Sequence, residues 1–198
     1  MSNENDLRQA KVRSKKYSIT EMAIKKVPFI KYKGLTEEQN KNMQSLARLV
    51  LTLAKNENDS NEVAITWDME RGDIGKYGVA YGTEHDVNIC SDTYSYHLLH
   101  SVGDVIIVVL HNHPSTKTFS LTDIYSLMKY RAIQYMVVVS NQGTIHYLKK
   151  EKNYDENKAG ILYNECNKRS RESKNVEEMY EAVLGFLRRC HEVGLYYK

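Results

Sequence analysis

Two histidines separated by a single residue, His111 and His113, follow the apolar run 105–110, and Asp123 stands ten residues beyond the second of them. In extended backbone, alternate side chains share a face, so both imidazoles can reach one ion where the strand runs out into a loop. Pro114 stiffens that exit and disfavours helical geometry at His113. Asp123 adds a hard oxygen ligand from the start of the next helix. Two imidazoles and a carboxylate leave the fourth position of a tetrahedral zinc ion open to water, the layout of a catalytic rather than a structural site. One zinc ion per chain is therefore the expected cofactor. Such an ion acidifies water and polarises a carbonyl, and hydrolysis then needs a base for the water proton and a donor for the oxyanion. Ser120, three residues before Asp123 at the same helix mouth, is placed for the donor role. Each piece alone has a plainer reading, since His-x-His arises by chance and Ser-x-x-Asp before a helix is commonly a cap. Their succession behind an apolar strand is what points to a metal.

The elements that must hold these residues can be read from periodicity. Thr36 is a good N-cap, with Glu37, Glu38 and Gln39 in the first turn. Met43, Leu46, Ala47, Val50, Leu51 and Ala54 then recur at helical spacing, predicting an amphipathic helix over 37–56. Residues 62–69 and 76–82 read as strands around a turn near 71–75, and 87–90 as an extension of the sheet. A short helix is expected over 94–101 after Asp92. The stretch 104–110 has the composition of a central strand buried on both faces. Ser120 caps a helix to about residue 132 and puts Asp123 at N3. Glu or Gln is the usual capping-box partner there, so Asp123 is not required to fold back on the cap. Strands at 135–140 and 144–149 join through Asn141-Gln142-Gly143. Segment 150–174 reads as a linker or exposed helix, and 176–193 as a final amphipathic helix. The expected architecture is a compact three-layer α/β core over 35–149, preceded by a basic segment at 1–34 and followed by a charged linker and helix at 150–198.

His111-Asn112-His113-Pro114 followed by Ser120-x-x-Asp123 resembles the JAMM (MPN+/JAB) metalloprotease motif, and His111 to Ser115 is especially similar to the bacterial RadC-like branch. The resemblance spans roughly residues 62–149. It implies an α/β sandwich related to cytidine deaminases, zinc held by His111, His113 and Asp123, and Ser120 steadying the transition state. It also implies a catalytic glutamate at the start of an early core strand, which matches Glu62, with Glu57, Glu70 and Glu84 as neighbouring competitors. The implied activity is hydrolysis of a peptide or isopeptide bond in a protein or peptide substrate. Two departures stand out. The loop Thr116-Lys117-Thr118-Phe119 is a residue shorter than in RadC-like chains and lacks their Gly and further prolines, and there is no room for their full N-terminal helical region. A DNA-repair role is therefore not carried over.

Composition bounds the alternatives. With 41% hydrophobic and 27% charged residues, the 198-residue chain suits a globular protein. Its longest apolar runs are far short of the roughly 20 residues of a bilayer span, and the N-terminus lacks the pattern of a signal peptide, so a cytoplasmic location is expected. Three widely spaced cysteines, Cys90, Cys166 and Cys190, form neither a disulfide framework nor a CxxC zinc knuckle. They also lack the Pro-Cys-x-x-Cys pair that a nucleic-acid deaminase would need. Charge is uneven: residues 1–34 carry nine Lys/Arg against three Asp/Glu, 35–148 eight against thirteen, and 149–174 eight against five. A second reading is thus a non-catalytic, nucleic-acid-associated module gripping phosphate through 8–33 and 149–174, with some of its fifteen tyrosines, such as Tyr17, Tyr32, Tyr147 and Tyr154, as stacking surfaces.

Overall fold

The computed structural model describes residues 16–103 and 105–198. The basic residues before Lys16 and the expected strand start at Asp104 lie outside them. Six strands form one mixed sheet in the order β2-β1-β3-β4-β5-β6. They are β1 (Val63–Asp68), β2 (Tyr77–Tyr81), β3 (Ile107–His113), β4 (Ile133–Ser140), β5 (Ile145–Lys150) and β6 (Leu195–Tyr197). Only the β3/β4 pair is parallel; the other neighbours are antiparallel.

Side-chain alternation divides the interior into two cores. On one face Val63, Ile65, Val108, Leu110, Val137 and Val139 meet Met43, Leu46 and Val50 of α2 (Glu37–Glu57). That helix opens as read, with Thr36 Oγ1 accepting from Gln39 N and the Gln39 side chain returning the bond. The preceding segment also packs here: α1 (Glu21–Lys26) is capped by Thr20, and Ile19, Ala23, Val27 and Tyr32 are buried. Gly143, in the hairpin turn, has φ +86°, and a Cβ there would meet Ala23 O at 2.5 Å. On the opposite face Ala64, Val109, Met136, Val138 and Leu148 lie against α3 (Thr93–Leu99), α4 (Leu121–Lys129), α5 (Glu156–Glu172) and α6 (Val176–Arg189). Helices on both sides of a mixed sheet agree with the expected α/β layering.

Several expectations are corrected. Residues 87–90 are not a strand: Asn88 turns the chain by accepting Cys90 N–H on its side chain and Ser91 N–H on its carbonyl. The central strand begins at Ile107, where pairing with both Asp68 and Ile133 starts, and runs through both histidines because β4 partners it as far as Ser140. The segment read as a linker or exposed helix is helical, as α5, but it is not merely exposed: its Ala159, Leu162 and Cys166 are buried in the same core as Val183, Phe186 and Leu187 of α6. After α6, a 3₁₀ turn (Cys190–Val193) and Gly194, in the left-handed region, deliver the unforeseen strand β6 onto β5. The three cysteines are unpaired thiols, Cys166 and Cys190 buried. Among the described residues no helix is long and apolar enough to cross a membrane. Tyr32 and Tyr147 are buried against each other with ring centroids 4.7 Å apart, so they offer no stacking surface.

Helix α4 ends at Lys129, earlier than its periodicity suggests, because Tyr130 turns extended. Buried Lys150 binds the turn that follows, donating to Tyr130 O at 2.9 Å and Arg131 O at 3.5 Å. Burial pushes its ammonium down to about 8 from an ordinary 10.5. Between those values the unfolded chain binds more protons than the folded one, so this group's contribution to stability rises with pH. Relative to Lys150→Met, the parent is expected to gain about 2 kcal/mol of unfolding free energy between about pH 7 and 9.5. Urea unfolding of both chains at the two pH values measures this, and parallel pH profiles would exclude it.

Candidate metal centre

The sequence and the sheet order together bring the candidate ligands to one place. His111 and His113 point from the carboxyl end of β3 to the face that carries α4. That helix begins beside them, at the crevice where open α/β sheets commonly bind ligands. His111 Nε2 and His113 Nε2 lie 3.0 Å apart. Asp123 Oδ1 is 3.1 Å from the first and Asp123 Oδ2 3.3 Å from the second. Cations with bonds of about 2.0–2.1 Å place neighbouring ligand atoms about 2.9 Å apart in octahedral and about 3.3 Å apart in tetrahedral geometry. The imidazole pair and each imidazole–carboxylate contact fall near these spacings, the two carboxylate contacts being made by different oxygens of Asp123. Among the described residues these three are also the group of His and carboxylate side chains able to share an ion, all ligand atoms lying within 4.8 Å of one another. A buried His-His-Asp centre that can hold a metal is thus present.

Asp123 does more than the sequence suggested. Its Oδ2 accepts Ser120 N–H at 2.6 Å and the Ser120 hydroxyl at 2.7 Å, while Ser120 Oγ accepts Asp123 N–H at 3.1 Å. The capping box is closed, correcting the view that Asp123 need not fold back. This locks the carboxylate and leaves Oδ1 as its less committed oxygen. It also commits the Ser120 proton to Asp123 in this state. Glu62 stands immediately before β1, buried, with Oε1 4.0 Å from His113 Nε2. Of the four glutamates weighed, it alone makes an ion-pair-range contact with the triangle; Glu57 instead pairs with the Tyr81 hydroxyl.

Charges inside this pocket are strongly coupled. Burial pushes the Glu62 carboxyl up to about 8; the His113 charge opposes this, and those of Asp123 and Asp86 add to it. Burial by itself would lower His113, but its hydrogen bond to Asp123, the charges of Asp123 and Glu62, and a backbone hydrogen bond at Lys117 outweigh it, raising the imidazole to about 9. Asp123 is desolvated as well, yet the charges and hydrogen bonds of His111 and His113 hold it well below the usual carboxylate range. The proton affinities of Glu62 and His113 are thus both raised while that of Asp123 is lowered, each through the others' charges.

The centre opens into a cleft of about 1240 Å³. One wall carries Glu84 and Asp86, another the loop 114–120, and a third the junction of α5 and α6 with Arg171 and Tyr180. Sequence reading missed this third wall, because nothing in the polar stretch 150–174 marks a face turned toward the histidines. Tyr180 anchors the loop after His113: its hydroxyl accepts Thr118 N–H at 3.2 Å and lies 3.1 Å from Thr118 Oγ1.

Metal loading must displace the His113 proton, so apparent affinity should rise with pH, by about tenfold per unit between pH 6 and 8. Competition against a chromophoric chelator across that range measures the slope. A flat profile, or a His113→Ala chain that binds as tightly as the parent, would rule out the centre. Compared with known proteins, the chain matches no family model, no curated protein and no solved structure.

Proposed function

We propose that the chain is a zinc-dependent hydrolase that cleaves an amide bond, peptide or isopeptide, in the manner of the JAMM metalloproteases its motif resembles, on a three-layer JAB/MPN-like fold. The observation that carries this reading is the placement of Glu62, a buried carboxylate 4.0 Å from His113 Nε2 at the rim of the ligand triangle. A purely structural metal site has no use for an uncommitted acid there. Two imidazoles with one carboxylate favour zinc over the oxygen-seeking magnesium and calcium ions. Zinc bound to His111, His113 and Asp123 would supply acidification of a water molecule and polarisation of the scissile carbonyl.

The remaining chemistry belongs to the chain. Glu62 takes the proton of the attacking water and returns it to the nitrogen as the C–N bond breaks, one carboxyl serving both directions. Its raised proton affinity suits the second transfer, since a carboxylic acid of ordinary strength is a poor donor at neutral pH. A bound cation would lower that affinity and favour the first. Ser120 can turn its hydroxyl from Asp123 Oδ2 toward the developing oxyanion, because the backbone N–H of Ser120 continues to hold that oxygen. The size and openness of the cleft favour a polypeptide segment over a small metabolite. Of the basic residues on which the nucleic-acid reading rests, Lys16, Lys33 and Lys149 are paired with Asp59 or Glu151.

The test is hydrolysis of linear peptides and lysine-linked isopeptides by the zinc-loaded chain. Glu62→Gln should lower turnover by about 10²–10⁴-fold with zinc content unchanged; Ser120→Ala, measured at saturating zinc because its hydroxyl also holds Asp123, should lower it by about 10²–10³-fold. Full turnover by Glu62→Gln would sink the assignment.

A further inference from the structure

The strands that carry the two halves of the centre part company just where the chemistry lies. The β1/β3 ladder ends at the pair Ala64/His111. Beyond it β3 stays with β4 as far as His113/Ser140. The chain before Ala64 leans the other way: Glu62 N–H donates to Thr83 O and Glu62 O accepts Gly82 N–H, both at 2.8 Å. Asn58 Nδ2 adds a bond to Glu62 O at 2.9 Å. On the side facing β3, two backbone groups flanking Glu62 no longer have a ladder partner: Val63 N–H and Asn61 C=O.

Both are met by one side chain. Asn112 Oδ1 accepts Val63 N–H at 2.7 Å, and Asn112 Nδ2 donates to Asn61 O at 3.0 Å. Asn112 is fully buried and stands between the two histidines, so strand alternation turns its side chain away from the ligand triangle. Its other amide hydrogen goes to Asn141 Oδ1 at 2.8 Å. Asn141 is itself pinned, donating from Nδ2 to Tyr17 O and Ser60 O and from its backbone to His113 O. The amide thus substitutes for the missing ladder across the gap between β1 and β3.

We propose that Asn112 is the positioning residue that sets Glu62 against the ligand triangle, gripping the peptide groups on either side of it from the strand that carries both histidines. This rests on the reading of Glu62 as the base. The task selects asparagine on chemical grounds. It needs an acceptor and two donors at the reach of a short side chain; aspartate lacks the donors, and leucine lacks all three groups. Because the amide touches none of the three ligands, its role separates from metal binding.

The experiment compares the full chain, Asn112→Leu, Glu62→Gln and the double variant, all loaded with zinc. In Asn112→Leu the Val63 amide should exchange with deuterium at least about tenfold faster, while the Ile65 and Leu110 amides keep parental rates. Zinc affinity, read by chelator competition, should stay within about threefold of the parent. Hydrolysis should fall about as far as in Glu62→Gln, and the double variant should be no slower than Glu62→Gln alone. Unchanged Val63 exchange, uniform acceleration of the ladder amides, zinc loss beyond about tenfold, or additive losses in the double variant would each overturn the proposal. Should Glu62→Gln hydrolyse at the parental rate, the hydrolase reading fails instead, and exchange at Val63 with zinc affinity decides the clamp by itself.

Discussion

The carboxylate of Asp123 is shared between two tasks that ordinarily fall to different residues. One oxygen closes the start of α4 by accepting the backbone and hydroxyl hydrogens of Ser120, and the carboxylate as a whole faces both imidazoles at 3.1 and 3.3 Å. A cap normally contributes about 1 kcal/mol and is replaceable. Here it also fixes the rotamer of a ligand, so the helix cannot begin anywhere else without moving the metal triangle. The loop from Pro114 to Phe119 must in turn span the distance from the end of β3 to that cap. Tyr180 of α6 holds it there through Thr118. The C-terminal helices are tied to the centre by the same chain of contacts that ties Asp123 to Ser120.

A second constraint acts from the other side of β3. Buried carboxylates and imidazoles are costly unless each is paired and hydrogen-bonded. Here the two imidazoles hold the Asp123 carboxyl well below the usual range, whereas burial pushes that of Glu62 up. The gap that admits Glu62 exposes backbone polar groups, and side-chain amides satisfy them: Asn58, Asn112 and Asn141 between them bond the carbonyls or N–H groups of Tyr17, Ser60, Asn61, Glu62, Val63 and Gly82. Such a network rigidifies when fully satisfied and destabilises when one member is lost. Its placement behind the histidines rather than beside them leaves the cleft side of the centre open.

The ligand triangle was legible in the sequence because its signals are local. A β-branched run fixes a strand, alternation puts His111 and His113 on one face, and a hydroxyl three residues before a carboxylate marks a helix start. The same locality explains α2, whose cap, first turn and apolar stripe agree at every level. What escaped was set by distant partners. Residues 156–172 look like a charged linker or exposed helix because only Ala159, Leu162 and Cys166 are buried along them, a stripe too thin to read as a packing face without α6 beside it. The strand β6 is three residues long and exists because β5 offers an edge. Conversely, 87–90 has strand-like composition but no partner, and Asn88 folds it into a turn. The closed capping box departs from the usual Glu or Gln preference, the shorter carboxylate of Asp123 still reaching Ser120 N–H at 2.6 Å.

Asn112 shows where these two kinds of information meet. In the sequence it is an unremarked polar residue inside a metal motif, and a buried asparagine on a central strand reads as a defect, since strands of this kind are filled with Val, Ile and Leu. Its value comes from the strand geometry. A β-ladder cannot both continue between β1 and β3 and open to admit a glutamate beside the imidazoles. A side chain carrying both an acceptor and donors resolves the conflict, since it restores the backbone bonds across a gap wider than a ladder tolerates. A polar residue at this position is therefore the direct consequence of placing an acid and two ligands on adjacent strands. Its identity follows from the register of those strands as much as that of the ligands follows from the metal.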